Sequence, residues 1–485
     1  MTQEEALMIL KTGANVFLTG EPGSGKTHTI NQYTNYLRAR GIAPSVTAST
    51  GIAATHIGGM TIHSWSGIGI KNTFSKYDLD RITSSEYIVK RISRAKILII
   101  DEVSMLAPDT LAKVDAVCRG IKESTEPFGG LQIILVGDFF QLPPIVNRFE
   151  TVKTQPTLIN NPPERFAYDS SSWKKANFMT CYLTEQHRQD DNGFFAILTA
   201  IRKNIFDSDH LKLIETRKVA HEKVHNNILK IYSHNVDVDL VNNAMLEKIV
   251  GRSEQYIMTA HGSKSLAEAL KRGCLSPEIL NLKVGAEVMF TKNNNKEGFV
   301  NGTLGTVIDF NQTTKLPIVR MRDGREITVD SMEWSVEEGN QVRARIIQLP
   351  LRLAWAITIH KSQGMSLDEA VMDLGAVFEF GQGYVALSRV RRLTGLHLLG
   401  WNERAFQVHP DVLIKDQEFR EGSEVATAAF TELPEAELQK MHENFITAAG
   451  GGDTKSTIDE DILLHPFKIK STKKRTRTKK YKESI

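Results

Sequence analysis

The chain has 485 residues, 41% apolar and 24% charged, with a net charge of +3. These are proportions of a folded soluble protein, and the length exceeds what one ordinary core holds, so two or more domains are predicted. No apolar run is long enough to span a bilayer, and the first residues lack the basic-then-apolar pattern of a secretion signal, which argues against a membrane protein and predicts a cytoplasmic one. The charge is uneven. Lys468–Lys482 carries nine Lys/Arg and no acid, leaving the other residues at −6 once those nine are taken from +3. A polyanion bound by the body must therefore lie in a local groove, and the tail is a separate basic element. Cys118, Cys181 and Cys274 match no metal spacing and read as reduced packing residues.

In chain order, Asn15–Thr19 reads as a strand, Lys26–Arg40 as a helix and Ser45–Ala48 as a strand, with a helix starting after Gly51. Residues 61–95 show no clear period and are expected to form a surface excursion. Ile97–Ile100 and Gln132–Val136 are short apolar runs of the kind that form parallel strands covered on both faces, and Ala107–Ile121 between them is an amphipathic helix. This alternation predicts a doubly wound parallel sheet over residues 1–180.

A second α/β set is expected from Cys181. It comprises strand Cys181–Leu183, helix Phe194–Lys203, strand Ile228–Tyr232 and helix Val236–Ile249. Residues 281–348 then change character, with short strand-like runs (Val288–Phe290, Thr303–Phe310, Ile318–Met321, Glu326–Val329) separated by Asn-Gly, Asp-Gly and Gly turns. That is the pattern of a small antiparallel barrel. The α/β pattern resumes at Ile357 with strand Ala370–Leu374, helix Gly383–Val390 and strand Leu396–Leu399. The second domain is thus expected over 181–250 and 346–410, with a barrel inserted over 251–345. Residues 411–485 read as a C-terminal helical segment and the basic tail, with Gly450–Gly452 as a flexible break.

The chemistry is concentrated at strand ends. Gly20-Glu21-Pro22-Gly23-Ser24-Gly25-Lys26-Thr27 fits the phosphate-loop pattern between a strand and a helix. Gly20, Gly23 and Gly25, with Ser24, let backbone N–H groups close around phosphates, Lys26 reaches the β- and γ-phosphates, and the Thr27 hydroxyl is placed to ligate Mg²⁺. Asp101, at the end of Ile97–Ile100, is the second Mg²⁺ candidate. Glu102 is placed to orient and deprotonate the attacking water, and Gln141, past Gln132–Val136, to bond the γ-phosphate. A nucleoside triphosphate with Mg²⁺ is the implied cofactor. Arg188 and Arg389 belong to the second α/β set. Facing the first across a cleft, they would stabilise the phosphoryl transition state, an effect worth roughly 10³–10⁵ in rate.

These residues and their order resemble the superfamily-one helicases of the petite-integration-frequency (PIF) group, relatives of the RecD helicase subunits, over roughly residues 1–410. Gln3 stands where that family keeps an adenine-reading glutamine. Thr47–Ala54 and Thr61–Trp65 are similar to its first DNA-contacting motifs, and Leu111–Arg119 with Pro127–Gln132 to its signature segment. Leu282–Phe290 with Val300–Gly305 is similar to its SH3-like barrel, and Ala356–Leu367 and residues 381–391 to its fifth and sixth motifs. Glu21-Pro22 departs from the small residues common in its phosphate loop.

The resemblance implies two RecA-like domains with an inserted SH3-like barrel, and an ATP-dependent DNA helicase moving 5′→3′ on single strands in replication, repair or recombination. The resemblance makes the nucleotide ATP, and Gly364 joins its site. Thr50, His63, Thr358, His360 and Lys361 become DNA-contact candidates, and Trp65 and Phe140 base-stacking candidates. Single-stranded DNA and single-/double-strand junctions are the implied partners, with single-strand-binding or recombination proteins beside them, and a monomer is the expected working form. An alternative is a translocase subunit of a recombination nuclease complex.

Overall fold

The structure is a computed structural model that describes residues 1–452 apart from 58, 70–73, 145–163, 186–190, 221–227, 295, 300 and 339–340. Arg188 and the Lys468–Lys482 run therefore lie outside the described residues. The first lobe is a six-stranded sheet of β1 (Val16–Gly20), β2 (Ser45–Ala48), β3 (Met60–Thr61), β4 (Ile97–Asp101), β5 (Gln132–Val136) and β6 (Met179–Leu183), in the order β3-β2-β4-β5-β1-β6. All its neighbours run parallel. β1, β5 and the first four residues of β4 are wholly buried, as continuous apolar runs require when helices cover both faces.

Two sequence expectations are corrected here. Cys181–Leu183 does not open the second domain. It is the end of β6, paired along the full length of β1, and so belongs to the first lobe. Residues 61–95 are not a surface excursion either. Met60–Thr61 joins the sheet edge, helices Ile62–Ser66, Lys76–Thr83 and Glu86–Arg94 follow, and Ile62, Trp65, Ile82 and Ile92 enter the main core. These helices are too short for a helical period to stand out in the sequence.

After helices Asn192–Arg202 and Ser208–Glu215 comes β7 (Lys230–Tyr232), and after helix Asn235–Lys248 an all-antiparallel region. That region holds β8 (Glu254–Ile257), β9 (Thr259–Gly262), β10 (Ile279–Leu282), β11 (Glu287–Phe290), β12 (Leu304–Phe310), β13 (Pro317–Met321), β14 (Glu326–Thr328), β15 (Met332–Glu338), β16 (Gln341–Gln348) and β17 (Leu351–Leu353). Its strands form three sheets around two cores, the smallest sheet being β10-β8. A five-stranded sheet, β14-β13-β12-β11-β17, has its own core around Val288, Phe290 and Val319; a three-stranded sheet, β15-β16-β9, packs helix Lys264–Gly273 over Trp334 and Ile346. β17 extends the insertion beyond residue 345, because its pairing with β11 outweighs the return to α/β pattern.

The chain then adds β18 (Ala356–Thr358), β19 (Ala370–Leu374) and β20 (Leu396–Trp401), which with β7 make a parallel sheet in the order β18-β7-β19-β20. The C-terminal segment returns to the first lobe. Helix Pro410–Thr431 lies along β6, with the Phe419 ring 4.8 Å from the Phe17 ring and Ser423 Oγ accepting from the Tyr182 N–H at 3.0 Å. Helix Glu435–Ala448 packs on helix Gln3–Lys11, its His442 ring bonding the Met8 carbonyl. Gly450–Gly452 is not a loose break here: Gly452 donates to the Arg40 carbonyl at 3.2 Å. Among the described residues no helix is long and apolar enough to cross a membrane.

Candidate nucleotide and nucleic-acid cleft

The loop after β1 wraps the start of helix Lys26–Ala39. Gly25 has φ +90°, a conformation that favours glycine, and a Cβ there would fall 2.2 Å from Gln3 Nε2 and displace that side chain. Gln3 Nε2 donates to the Ser24 carbonyl at 3.3 Å, and a Thr2/Glu5 capping box holds its helix. Lys26 Nζ donates to the Gly20 and Glu21 carbonyls at 2.7 and 3.0 Å. Burial pushes the Lys26 ammonium below its usual pKa, opposed by Asp138, Glu102 and Asp101.

Asp101 ends β4, and its Oδ1 accepts from the Glu102 N–H at 2.8 Å. Burial raises the Asp101 carboxyl above the usual range, with the Glu102 N–H and Lys26 opposing. Glu102 occupies the left-handed region at φ 53°, rare for a non-glycine residue and costing about 1–3 kcal/mol, which the surroundings must hold in place. Ser49 Oγ donates to its carbonyl at 2.7 Å. Burial and the Asp101 carboxylate raise Glu102 to about 7, while Lys26 and Arg389 oppose the rise.

Across the cleft, Gln363 Nε2 of the second lobe donates to Glu102 Oε2 at 3.0 Å and to Gln141 Oε1 at 3.3 Å. Gln141 Nε2 in turn donates to Asp138 Oδ2 at 3.3 Å. Arg389 is buried, donating to the Val385 and Met365 carbonyls and to Ser388 Oγ, and its charge is felt at Glu102. The lobes touch closely beside it. Gly381 has φ +79°, and a Cβ there would meet the Phe140 carbonyl at 2.6 Å.

Behind the phosphate loop lies a buried charged network. Arg202 Nη1 bonds both oxygens of Asp138 at 2.8 and 2.9 Å, and Nη2 donates to the Tyr182 hydroxyl at 2.8 Å. Asp416 on helix Pro410–Thr431 accepts from Arg202 at 3.5 Å and from Arg420 at 2.8 Å. Although burial opposes its charge, Arg202 is held protonated by Asp138. Glu21 sits in the same field: burial raises its carboxyl, and Arg202 and Arg420 oppose this.

The cleft itself is a cavity of about 870 Å³. Thr27, Thr50, Asp101, Glu102, His360, Gln363 and Gly364 line it, and the insertion adds Thr291, Lys292, Asn293, Asn301 and Trp334. Three stacking or contact candidates are corrected. Trp65 is 3% exposed and packs in the core. Phe140 is 3% exposed, and the Arg202 guanidinium lies over its ring, 4.0 Å from the ring centre. Thr358 is equally buried, and its hydroxyl caps the helix Ile359–Ser362 by accepting from the Lys361 N–H at 3.3 Å. His63 lies outside the cleft lining, and burial lowers its pKa. Lys361 lines a different cavity from His360. Sequence reasoning missed Gln363 as a bridging residue, Arg202, and the insertion's cleft residues. A glutamine beside a lysine and a glycine carries little signal by itself, and the insertion's contribution depends on how it folds back.

The fold and the cleft define a two-lobed phosphate-loop nucleoside triphosphatase. A family model described as PIF1-like helicase matches residues 4–203, and one described as DNA helicase Pif1, 2B domain, matches residues 265–310. The ATP-dependent DNA helicase Pif1 of Psychrobacter sp. is 39% identical, the match covering 94% of this chain and 76% of that relative. The chain belongs to the PIF1-like helicase family. Bacteroides sp. Pif1 in complex with ADP-AlF4 superimposes with a TM-score of 0.75 at 30% identity, covering 86% of this chain and 96% of that one. Bacteroides Pif1 bound to ssDNA gives 0.58 at 31% identity over the same shares. Unliganded Bacteroides sp. Pif1 gives 0.73, so the described arrangement is nearer to the structures without DNA than to the ssDNA complex.

Proposed function

We propose that this chain is an ATP-dependent DNA helicase that translocates 5′→3′ on single-stranded DNA and unwinds duplexes in replication, repair or recombination. The observation that carries the reading is the Glu102–Gln363 contact, which puts a hydrolytic carboxylate of one lobe against the fifth-motif segment of the other. Closure of the cleft on ATP would replace that contact by contacts to the γ-phosphate. Hydrolysis would then be tied to lobe movement, and lobe movement to the grip on the strand.

In this reading the loop amides and Lys26 bind the phosphates and Gln3 sits at the base end. Glu102, raised to about 7, takes the proton of the attacking water. Gln141 and Gln363 orient that water, and Arg389 stabilises the charge that develops, with Arg188 as its partner candidate. Thr27 and Asp101 fit Mg²⁺: both line the cleft, both offer oxygen, and Asp101 is a half-buried carboxylate whose charge a cation would stabilise. Bound there, the ion would neutralise phosphate charge. Thr50 and His360, with Lys292 and Trp334, are the strand-contact candidates that the cleft supports.

The five-stranded sheet supports reading the insertion as a small SH3-like barrel, with the three-stranded sheet as a second element. The domain limits become 1–183 with 410–452, then 191–250 with 354–409, and 251–353 for the insertion.

Strand separation on 5′-tailed and 3′-tailed duplexes tests the proposal. The 5′-tailed substrate should open with ATP and the 3′-tailed one should not, and Lys26→Ala should open neither. Opening of the 3′-tailed substrate alone would overturn the direction, and no ATP-dependent opening of either would overturn the reading.

A further inference from the structure

Outside the cleft, a second cavity of about 330 Å³ lies between helices Asn235–Lys248 and Lys264–Gly273 and strands β10 and β17. Arg352 of β17 lines it and is 9% exposed. Its side chain makes no hydrogen bond and no ion pair among the described residues, and its Nε is buried without a partner. Lys361 lines the same cavity, and burial together with Arg352 lowers its pKa. Lys271 and Arg272 stand on the wall, Lys271 already bridging Glu268 and Glu278 at 3.1 and 3.0 Å. Asp239 is the nearby carboxylate, felt by both Arg352 and Lys361 but with no ion pair to either.

A buried guanidinium nitrogen left without an acceptor is costly, and such groups in folded proteins answer to an ion, water or ligand. A flat five-donor fork beside an ammonium suits the oxygens of a phosphate group. The cavity also adjoins the cleft. Helix Ile359–Ser362 sends His360 to one and Lys361 to the other, and the Ser276–Thr291 hydroxyl pair, 2.6 Å apart, joins their walls.

We propose that Arg352 and Lys361 form a phosphate-binding pocket in the second lobe, separate from the nucleotide loop, that takes a backbone phosphate of the bound strand. This rests on the reading of the chain as a single-strand motor. A free phosphate has the same chemistry, and the test separates the two sources.

In the full chain, single methylphosphonate linkages are scanned along an oligonucleotide, and affinity is measured for the wild type, Arg352→Met and Arg352→Lys. In the wild type one neutral linkage should weaken binding by roughly tenfold or more, the loss of one charge-assisted hydrogen bond. Arg352→Met should lose the penalty at that position, Arg352→Lys should keep part of it, and the salt slope of Arg352→Met should fall by about 0.7. A second arm uses a Lys26→Ala background, which silences the nucleotide loop. If free phosphate is the occupant, orthophosphate should raise the melting temperature there while Arg352 is intact, and should not once Arg352→Met is added. Loss of the linkage penalty supports the strand, and an orthophosphate shift alone supports the pocket but overturns the strand as occupant. An identical response of Arg352→Met and wild type in both arms overturns the pocket. So does a large fall in the melting temperature of unliganded Arg352→Met, which would make Arg352 a packing residue. Should the wild type bind no single strand, the motor reading fails while the orthophosphate arm still decides the pocket.

Discussion

Glu102 and Gln363 meet across the cleft at 3.0 Å, the carboxylate accepting from the amide. The same amide nitrogen lies 3.3 Å from Gln141 Oε1, so one side chain of the second lobe touches both polar strand-end groups of the first. Gln363→Ala should therefore affect turnover more than nucleotide affinity. ATPase is expected to fall about 10-fold to 100-fold, the scale of an orienting contact, with nucleotide Kd within a few-fold. An equal loss in both would show that Gln363 supports binding instead.

Glu102→Gln removes the proposed base while keeping shape and the amide contact. Hydrolysis should drop by about 10²–10⁴, with nucleotide and single-strand affinity retained. Loss of nucleotide binding in equilibrium titration would count against the assigned role.

The same carboxylate sets a pH dependence. Its folded-state pKa of about 7 lies above the ordinary 4.5, so the folded protein holds an extra proton between the two values. That contribution to stability is full below about 4.5 and is lost as pH rises through about 7. Glu102→Gln lacks the titration, so its stability relative to wild type should climb across that window and level off above it. ATPase, which needs the ionised form, should fall about tenfold per pH unit below the apparent pKa. A flat stability difference, from denaturant unfolding at several pH values, would contradict the raised pKa.

Arg202 and Asp138 form a buried pair, 1% and 0% exposed. Arg202→Met leaves Asp138 as an unpaired buried charge and should cost about 3–5 kcal/mol. The double variant with Asp138→Leu should recover part of that in urea unfolding. A double variant no better than the single would mean that the Tyr182 and Asp416 contacts matter more than the ion pair.

Trp65→Ala should act through the core. A loss of about 3–5 kcal/mol in stability is expected, while the folded fraction should keep its single-strand affinity. A specific loss of DNA binding with stability intact would restore the stacking role.

The first lobe was legible because its information is local. Val16–Gly20, Ile97–Asp101 and Gln132–Val136 hold short apolar runs bounded by turns, and glycines mark the loop whose backbone must bend. What the sequence hid is set by pairing. β6 reads like any apolar strand, and only its register against β1 assigns it to the first lobe. The insertion showed its turns but not its division into three sheets, one of which depends on β9 meeting β16, a strand far along the chain. Trp65 and Phe140 illustrate the same limit. An aromatic residue in a motif gives no sign of the face it turns to, and both turn inward.

Because β6 and helix Pro410–Thr431 both belong to the first lobe, the chain leaves for the second lobe and comes back at neighbouring places. The polypeptide therefore joins the two lobes at two places rather than one, beside an apolar core that both lobes share. A body joined that way swings about the line through the two places and resists twisting in other directions. In the proposed cycle, the path of the polypeptide would steer the lobe before any ligand is bound.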